Sequence, residues 1–195
     1  MKKEEVKIVS EDGHIVHGTY SAPERTRACA LLVHGITADR HEWGFFDSLV
    51  REFADRGVST LAIDYRGHGM SKFPIERLSL SGVMADVMAA WSFLQKATPS
   101  VHSFIVGNSF GGGIAYLFGQ NEKDCAHIYM TCPVTSYVAD VSRVNSAWKD
   151  QAGTGLIQYA SKKLSTIVVP EFYAYDFLIQ NQHVSKPFSV VHGAE

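Results

Sequence analysis

The sequence predicts an α/β fold: a mostly parallel sheet, opened by an antiparallel hairpin and covered by helices on both faces. Three observations predict it. Short apolar runs alternate with amphipathic helical patterns along the chain. The runs are almost continuously hydrophobic, as strands buried on both sides must be. The first two runs are joined by the polar turn Glu11-Asp12-Gly13 rather than by a helix, which marks a hairpin. At 195 residues, 46% hydrophobic and 19% charged, the chain can bury one sizeable core, and a single domain over residues 1–195 is expected.

The elements follow in order. Residues 6–10 and 15–20 form the hairpin, and residues 28–33, 58–63, 101–106 and 126–130 are the next four strands. Between the first two of these, Trp43, Phe46, Val50 and Phe53 recur at spacings of three and four, which puts them on one helical face that Gly57 terminates. Before the third, Leu80, Val83, Met84, Val87, Met88, Trp91 and Leu94 repeat the spacing, with Ser79 placed to cap the helix. From about 134 to 186 the pattern breaks into short segments carrying Trp148, Tyr159, Phe172, Tyr173, Tyr175 and Phe177; this reads as a lid over the carboxyl edge of the sheet, its aromatics gripping an apolar ligand. Residues 187–193 read as one more strand and its exit turn.

Composition narrows the function classes. Eighteen Lys and Arg against 20 Asp and Glu leave a formal charge of −2, and the basic residues form scattered pairs, so no nucleic-acid partner is expected. The charged start lacks the apolar core of a secretory signal, and no run approaches the ~20 apolar residues that span a bilayer; the expectation is a cytoplasmic protein with no membrane partner. Cys29, Cys125 and Cys132 are odd in number and lack metal-finger spacing, so reduced thiols are expected. His14 and His17, three apart on a strand, face opposite sides and do not make a metal pair. Neither a phosphate loop nor a dinucleotide fingerprint is present, and no cofactor or metal is implied.

Chemistry is concentrated at three loops. Gly107-Asn108-Ser109-Phe110-Gly111 lies between an apolar strand and a helical pattern containing Ile114, Leu117 and Phe118. A turn this tight leaves no room for side chains two places either side of the serine, which explains both glycines, and it thrusts the Ser109 hydroxyl above the sheet. The five-residue pattern alone arises by chance in about 6% of chains this long; its position between strand and helix, downstream of a second loop, removes most of that chance. The second loop is Val33-His34-Gly35-Ile36-Thr37, at the exit of strand 28–33. The third is Asp64-Tyr65-Arg66-Gly67-His68-Gly69-Met70-Ser71, after strand 58–63.

With HGIT, DYRGHGMS, GNSFGG and KPFSVVHG in this order, the chain resembles the α/β-hydrolases over nearly all of residues 6–193, and within them the monoacylglycerol-lipase-like and cinnamoyl/feruloyl-type esterases. The resemblance implies a serine hydrolase that cleaves small-molecule carboxylic esters through an acyl-enzyme on Ser109. It implies an oxyanion hole made by the backbone N–H groups of Ile36 and Phe110, with His34 and Gly35 shaping the loop. It makes Asp64 and His68 scaffold. Phe110 departs from the glutamine common in cinnamoyl esterases. The acid of the family falls at the fifth position of H-G-x-x-D, which counted from His192 is residue 196, past Glu195. The family's last strand, with its helix and catalytic histidine, is therefore expected to be missing, activity of residues 1–195 impaired, and the seventh strand left as an exposed edge prone to homo-oligomerisation. Asp140 is a conceivable substitute acid. Thioester or carbon–carbon bond hydrolysis, and a non-catalytic truncated remnant that acts as a structural or binding unit, are the alternatives.

Overall fold

A computed structural model describes residues 1–99, 102–176 and 184–193. The opening hairpin is β1 (Lys2–Val9) and β2 (Ile15–Ala22), antiparallel with Lys2 opposite Ala22 and Val9 opposite Ile15. Four further strands are β3 (Ala28–Val33), β4 (Val58–Asp64), β5 (Ser103–Asn108) and β6 (His127–Thr131). After the small hairpin of β7 (Leu156–Tyr159) and β8 (Lys162–Ser165), β9 (Phe188–Val191) returns to the main sheet. The sheet order is β1-β2-β4-β3-β5-β6-β9, parallel from β4 onward, with β2 antiparallel to β4. The expected parallel sheet with an antiparallel start is therefore present.

Helices cover the sheet unequally. Period-two alternation along β3 sends Leu31 and Val33 into a large core and Ala30 and Leu32 into a smaller one on the other face. The large core holds α2 (Leu80–Ala97) and α3 (Phe110–Asn121), and the small one holds α1 (Phe45–Asp55) through Phe46. The Ser79 hydroxyl accepts the Gly82 N–H at 3.1 Å, capping α2 as its sequence position suggests. Trp43 is a correction. It is not on the face of α1 but in a 3₁₀ turn ahead of it (Glu42–Gly44), at φ 56° and 83% exposed.

The segment after β6 is more ordered than its sequence suggests. It contains α4 (Tyr137–Val144), α5 (Trp148–Gln151), the β7–β8 hairpin and α6 (Val168–Ala174). The Glu171 carboxylate of α6 accepts the N–H of Leu80 and the Ser81 hydroxyl, so this segment also satisfies amides at the start of α2. Trp148, Tyr159 and Phe172 are at most 2% exposed and belong to the large core. They anchor the segment and are not free to grip a ligand as expected; Phe177 lies outside the described residues. Among the described residues no helix is long and apolar enough to cross a membrane.

Candidate active site

Ser109 joins β5 to α3 at φ 52° and ψ −119°. A non-glycine residue in this region carries ~1–3 kcal/mol of backbone strain, which persists only where the surroundings enforce it. They do so here. The Ser109 N–H donates to Thr131 O at the end of β6, and its carbonyl accepts from Gly112 N and Val134 N, all at 2.9 Å. A methyl group on Gly107 would lie 2.2 Å from Gly111 O, and one on Gly111 would lie 2.3 Å from both Val33 O and His34 O. The two glycines thus let the helix start close over β5 and let the exit of β3 press against it. Ser109 is half-buried, and its hydroxyl has no hydrogen-bond partner among the described residues.

The Val33–Thr37 loop lies directly against the serine, since a methyl on Gly35 would be 3.3 Å from Ser109 Cβ. His34 Nδ1 donates to Gly35 O at 2.7 Å, and Ala38 N donates to the same oxygen at 3.2 Å. In a trans peptide the N–H points opposite to the C=O, so the Ile36 N–H is turned away from both of these donors. Neither the Ile36 N–H nor that of Phe110, the first residue of α3, has an acceptor among the described residues. Two amides without a described acceptor therefore lie in the two loops that meet at Ser109.

His34 and His68 serve the loop and not the serine. His68 Nε2 donates to Ile36 O at 2.7 Å, and the His34 ring stacks on Tyr65 with centroids 4.1 Å apart. Burial pushes His34 well below the ordinary imidazole range and lowers His68 as well, the two carbonyls of Ile36 and Arg66 that face the His68 ring opposing the shift. Asp64 accepts from Arg40 and from the Met70 N–H, and it fills the space a side chain on Gly69 would need. These residues are scaffold, as the resemblance implies. Phe110 is fully buried, its ring against Tyr65, Tyr137 and Tyr159. Its side chain anchors the elbow while its amide stays free. Asp140 accepts the Tyr159 hydroxyl at 2.6 Å and pairs with Arg143, which spends it on structure.

Glu42 escapes sequence reasoning. It lies seven residues after Gly35, outside any periodic pattern, yet it is 6% exposed and accepts the Gly35 N–H at 2.7 Å. Burial raises its carboxyl above the usual range, while the Gly35 amide and the Asn108 side chain pull the other way. Beside this loop a cavity of about 270 Å³ is lined by Thr37, Ala38, Asp39, His41, Trp43 and Gly69. Among the described residues no cluster of His, Cys, Asp and Glu is arranged to hold a metal ion.

The model of the serine aminopeptidase S33 family matches residues 24–192. An abhydrolase domain-containing protein of Dictyostelium discoideum is 27% identical over 168 residues, covering 85% of this chain and 17% of that protein. Human monoglyceride lipase is 32% identical over 114 residues, covering 56% of this chain and 36% of the lipase. The chain thus spans well under half the length of these curated relatives. The structure of Est1E from Butyrivibrio proteoclasticus with ferulic acid bound superposes with a TM-score of 0.69 at 19% identity, covering 96% of this chain and 78% of Est1E.

Proposed function

The chain belongs to the serine aminopeptidase S33 family, within the α/β-hydrolases, and on that premise we propose that it carries the nucleophile and oxyanion hole of a carboxylic ester hydrolase. The observation that carries this reading is the strained, half-exposed Ser109, against which the Gly35 loop lies and in whose two adjoining loops the Ile36 and Phe110 amides have no acceptor among the described residues. The Ser109 oxygen attacks the ester carbonyl carbon, the carbonyl oxygen takes up the negative charge, and both amides donate to it. Collapse expels the alcohol and leaves an acyl group on Ser109, which water then removes. The Ser109 proton must pass to a base that then protonates the leaving alcohol. No described residue is hydrogen-bonded to the hydroxyl in that role, so this reading requires a histidine and its acid partner from outside the described set.

Human monoglyceride lipase and Est1E with ferulic acid bound support an ester with a small or medium acyl or aryl group. We assign the described part of the segment, residues 134–176, to a lid over the carboxyl edge of the sheet. The three cysteines are free thiols, and we place the reaction in the cytoplasm. Parallel assays of the intact protein on short p-nitrophenyl esters, feruloyl esters and acyl thioesters test the substrate class. Hydrolysis of the esters, lost in Ser109→Ala, is expected. Turnover of thioesters alone would move the assignment to that chemistry, and silence on all three, with no labelling of Ser109 by a fluorophosphonate, would leave a binding or structural role.

A further inference from the structure

We propose that Glu42 is the positioning residue of this site, a buried brace that holds the Gly35–Ile36 peptide against the nucleophile elbow. The inference rests on the reading of Ser109 as nucleophile and extends it to the residue that fixes the oxyanion loop.

The backbone supplies the first observation. Glu42, Trp43 and Gly44 have φ values of 45°, 56° and 87°, three left-handed residues in succession, two of which carry side chains that disfavour this region. The turn sorts those side chains to opposite sides. Trp43 goes to solvent at 83% exposure, while Glu42 goes inward at 6%. A strained turn that drives a carboxylate inward calls for a compensating partner, and the Gly35 N–H is that partner.

The partners supply the second observation. Glu42 Oε2 accepts the Gly35 N–H at 2.7 Å, and the nearby Asn108 side chain helps to stabilise the carboxylate. Asn108 immediately precedes Ser109, and its Oδ1 accepts the Thr131 hydroxyl at 2.6 Å. Thr131 O in turn holds the Ser109 N–H. The carboxylate therefore holds the Val33–Thr37 loop where it meets the elbow, and Thr131 at the end of β6 holds the elbow in turn. A methyl on Gly35 would sit 3.6 Å from Glu42 Oε1 and 3.3 Å from Ser109 Cβ, so carboxylate, loop and nucleophile are mutual neighbours.

Among the described residues Glu42 makes no hydrogen bond to the Ser109 hydroxyl, and its donor is the Gly35 amide. It acts by holding the Gly35 N–H, which orients the adjoining peptide whose own N–H belongs to Ile36. A small misplacement of such a donor costs up to ~100-fold in rate.

The test uses the intact protein and the variants Glu42→Ala, Glu42→Asp and Glu42→Gln. Wild type is expected to show a Gly35 amide proton shifted downfield and slow to exchange, as a charge-assisted hydrogen bond requires. In Glu42→Ala that signature is lost and kcat for a p-nitrophenyl ester falls ~10- to 100-fold with KM within about threefold. Glu42→Asp, one methylene too short, behaves like Ala. Glu42→Gln keeps an oxygen for the Gly35 N–H and recovers kcat to within about fivefold of wild type. Equal kcat in wild type and Glu42→Ala, or equal loss in Ala and Gln, overturns the proposal. If wild type hydrolyses no ester, the nucleophile reading fails, and the Gly35 amide still decides the brace: a fast-exchanging Gly35 proton in wild type overturns it.

Discussion

β5 and β9 are both parallel strands that deliver a loop to the same edge of the sheet, yet one is built into the molecule and the other rests on its margin. β5 pairs on both sides, with β3 and β6, and Ile105, Val106 and Gly107 are buried. β9 pairs with β6, and Phe188, Val190 and Val191 are 41%, 48% and 66% exposed. The sequence patterns are equally apolar, so hydrophobicity does not separate them. What differs is cover: α3 lies over β5, whereas it reaches β9 through the Tyr116 ring set edge-on against Phe188. Burial on both sides enforces the unfavourable φ of Ser109, and a strand like β9 could not hold such a residue.

The sharpest way to break this contrast is at the nucleophile. Ser109→Ala is expected to lower ester hydrolysis by the intact protein at least ~1,000-fold with little change in Tm, since the hydroxyl makes no internal hydrogen bond; retention of most of the activity would remove Ser109 from the chemistry. Next in size is Gly111→Ala. Its new methyl would meet backbone oxygens of Val33 and His34 at 2.3 Å, contacts that cannot relax without moving the elbow. A loss of ~4 kcal/mol or more, or failure to fold, is expected in urea melts; a loss under ~1 kcal/mol would show that the elbow is less tightly packed than described.

A pH series tests the buried histidines. Both His34 and His68 have folded-state values below the ordinary imidazole range, so the unfolded chain binds protons first as pH falls. Their contribution is fully present above about pH 6.5 and declines below it, by up to ~1.4 kcal/mol per pH unit for each histidine until its folded value is reached. Glu42, whose folded value is raised, acts in the opposite sense nearer the carboxylate range and moderates the slope there. Chemical melts between pH 7.5 and 5 in wild type and His34→Gln check this, the variant being expected to show the shallower decline. The smallest effect belongs to β9: Val191→Lys should alter unfolding free energy by no more than ~0.5 kcal/mol. The homo-oligomerisation expected at this edge is checked by size-exclusion chromatography: a shift toward monomer in Val191→Lys supports it, and a wild type already monomeric argues against it.

The same contrast explains what was legible in the sequence. Strands 28–33 and 58–63 and the helix capped by Ser79 are readable because burial forces unbroken apolar runs and a 3.6-residue period. The elbow is readable because close backbone approach demands glycine at Gly107 and Gly111. Trp43 misleads because its spacing fits the face of α1 while a left-handed turn takes it out of the helix. The small β7–β8 hairpin is missed because four-residue strands such as Leu156–Tyr159 are too short to show a period. Glu42 is missed for another reason: its role depends on a carboxylate turned inward by a left-handed turn to meet an amide seven residues upstream, and no local rule encodes that meeting. The aromatics Tyr159 and Phe172 were visible as residues, but whether they line a pocket or a core depends on what packs against Phe110.

The most direct test is mass spectrometry of the intact protein after brief exposure to a fluorophosphonate. The account predicts a single adduct, on Ser109, that is absent from Ser109→Ala. An adduct on another residue, or an intact protein that turns over esters while Ser109 stays unmodified, would contradict it.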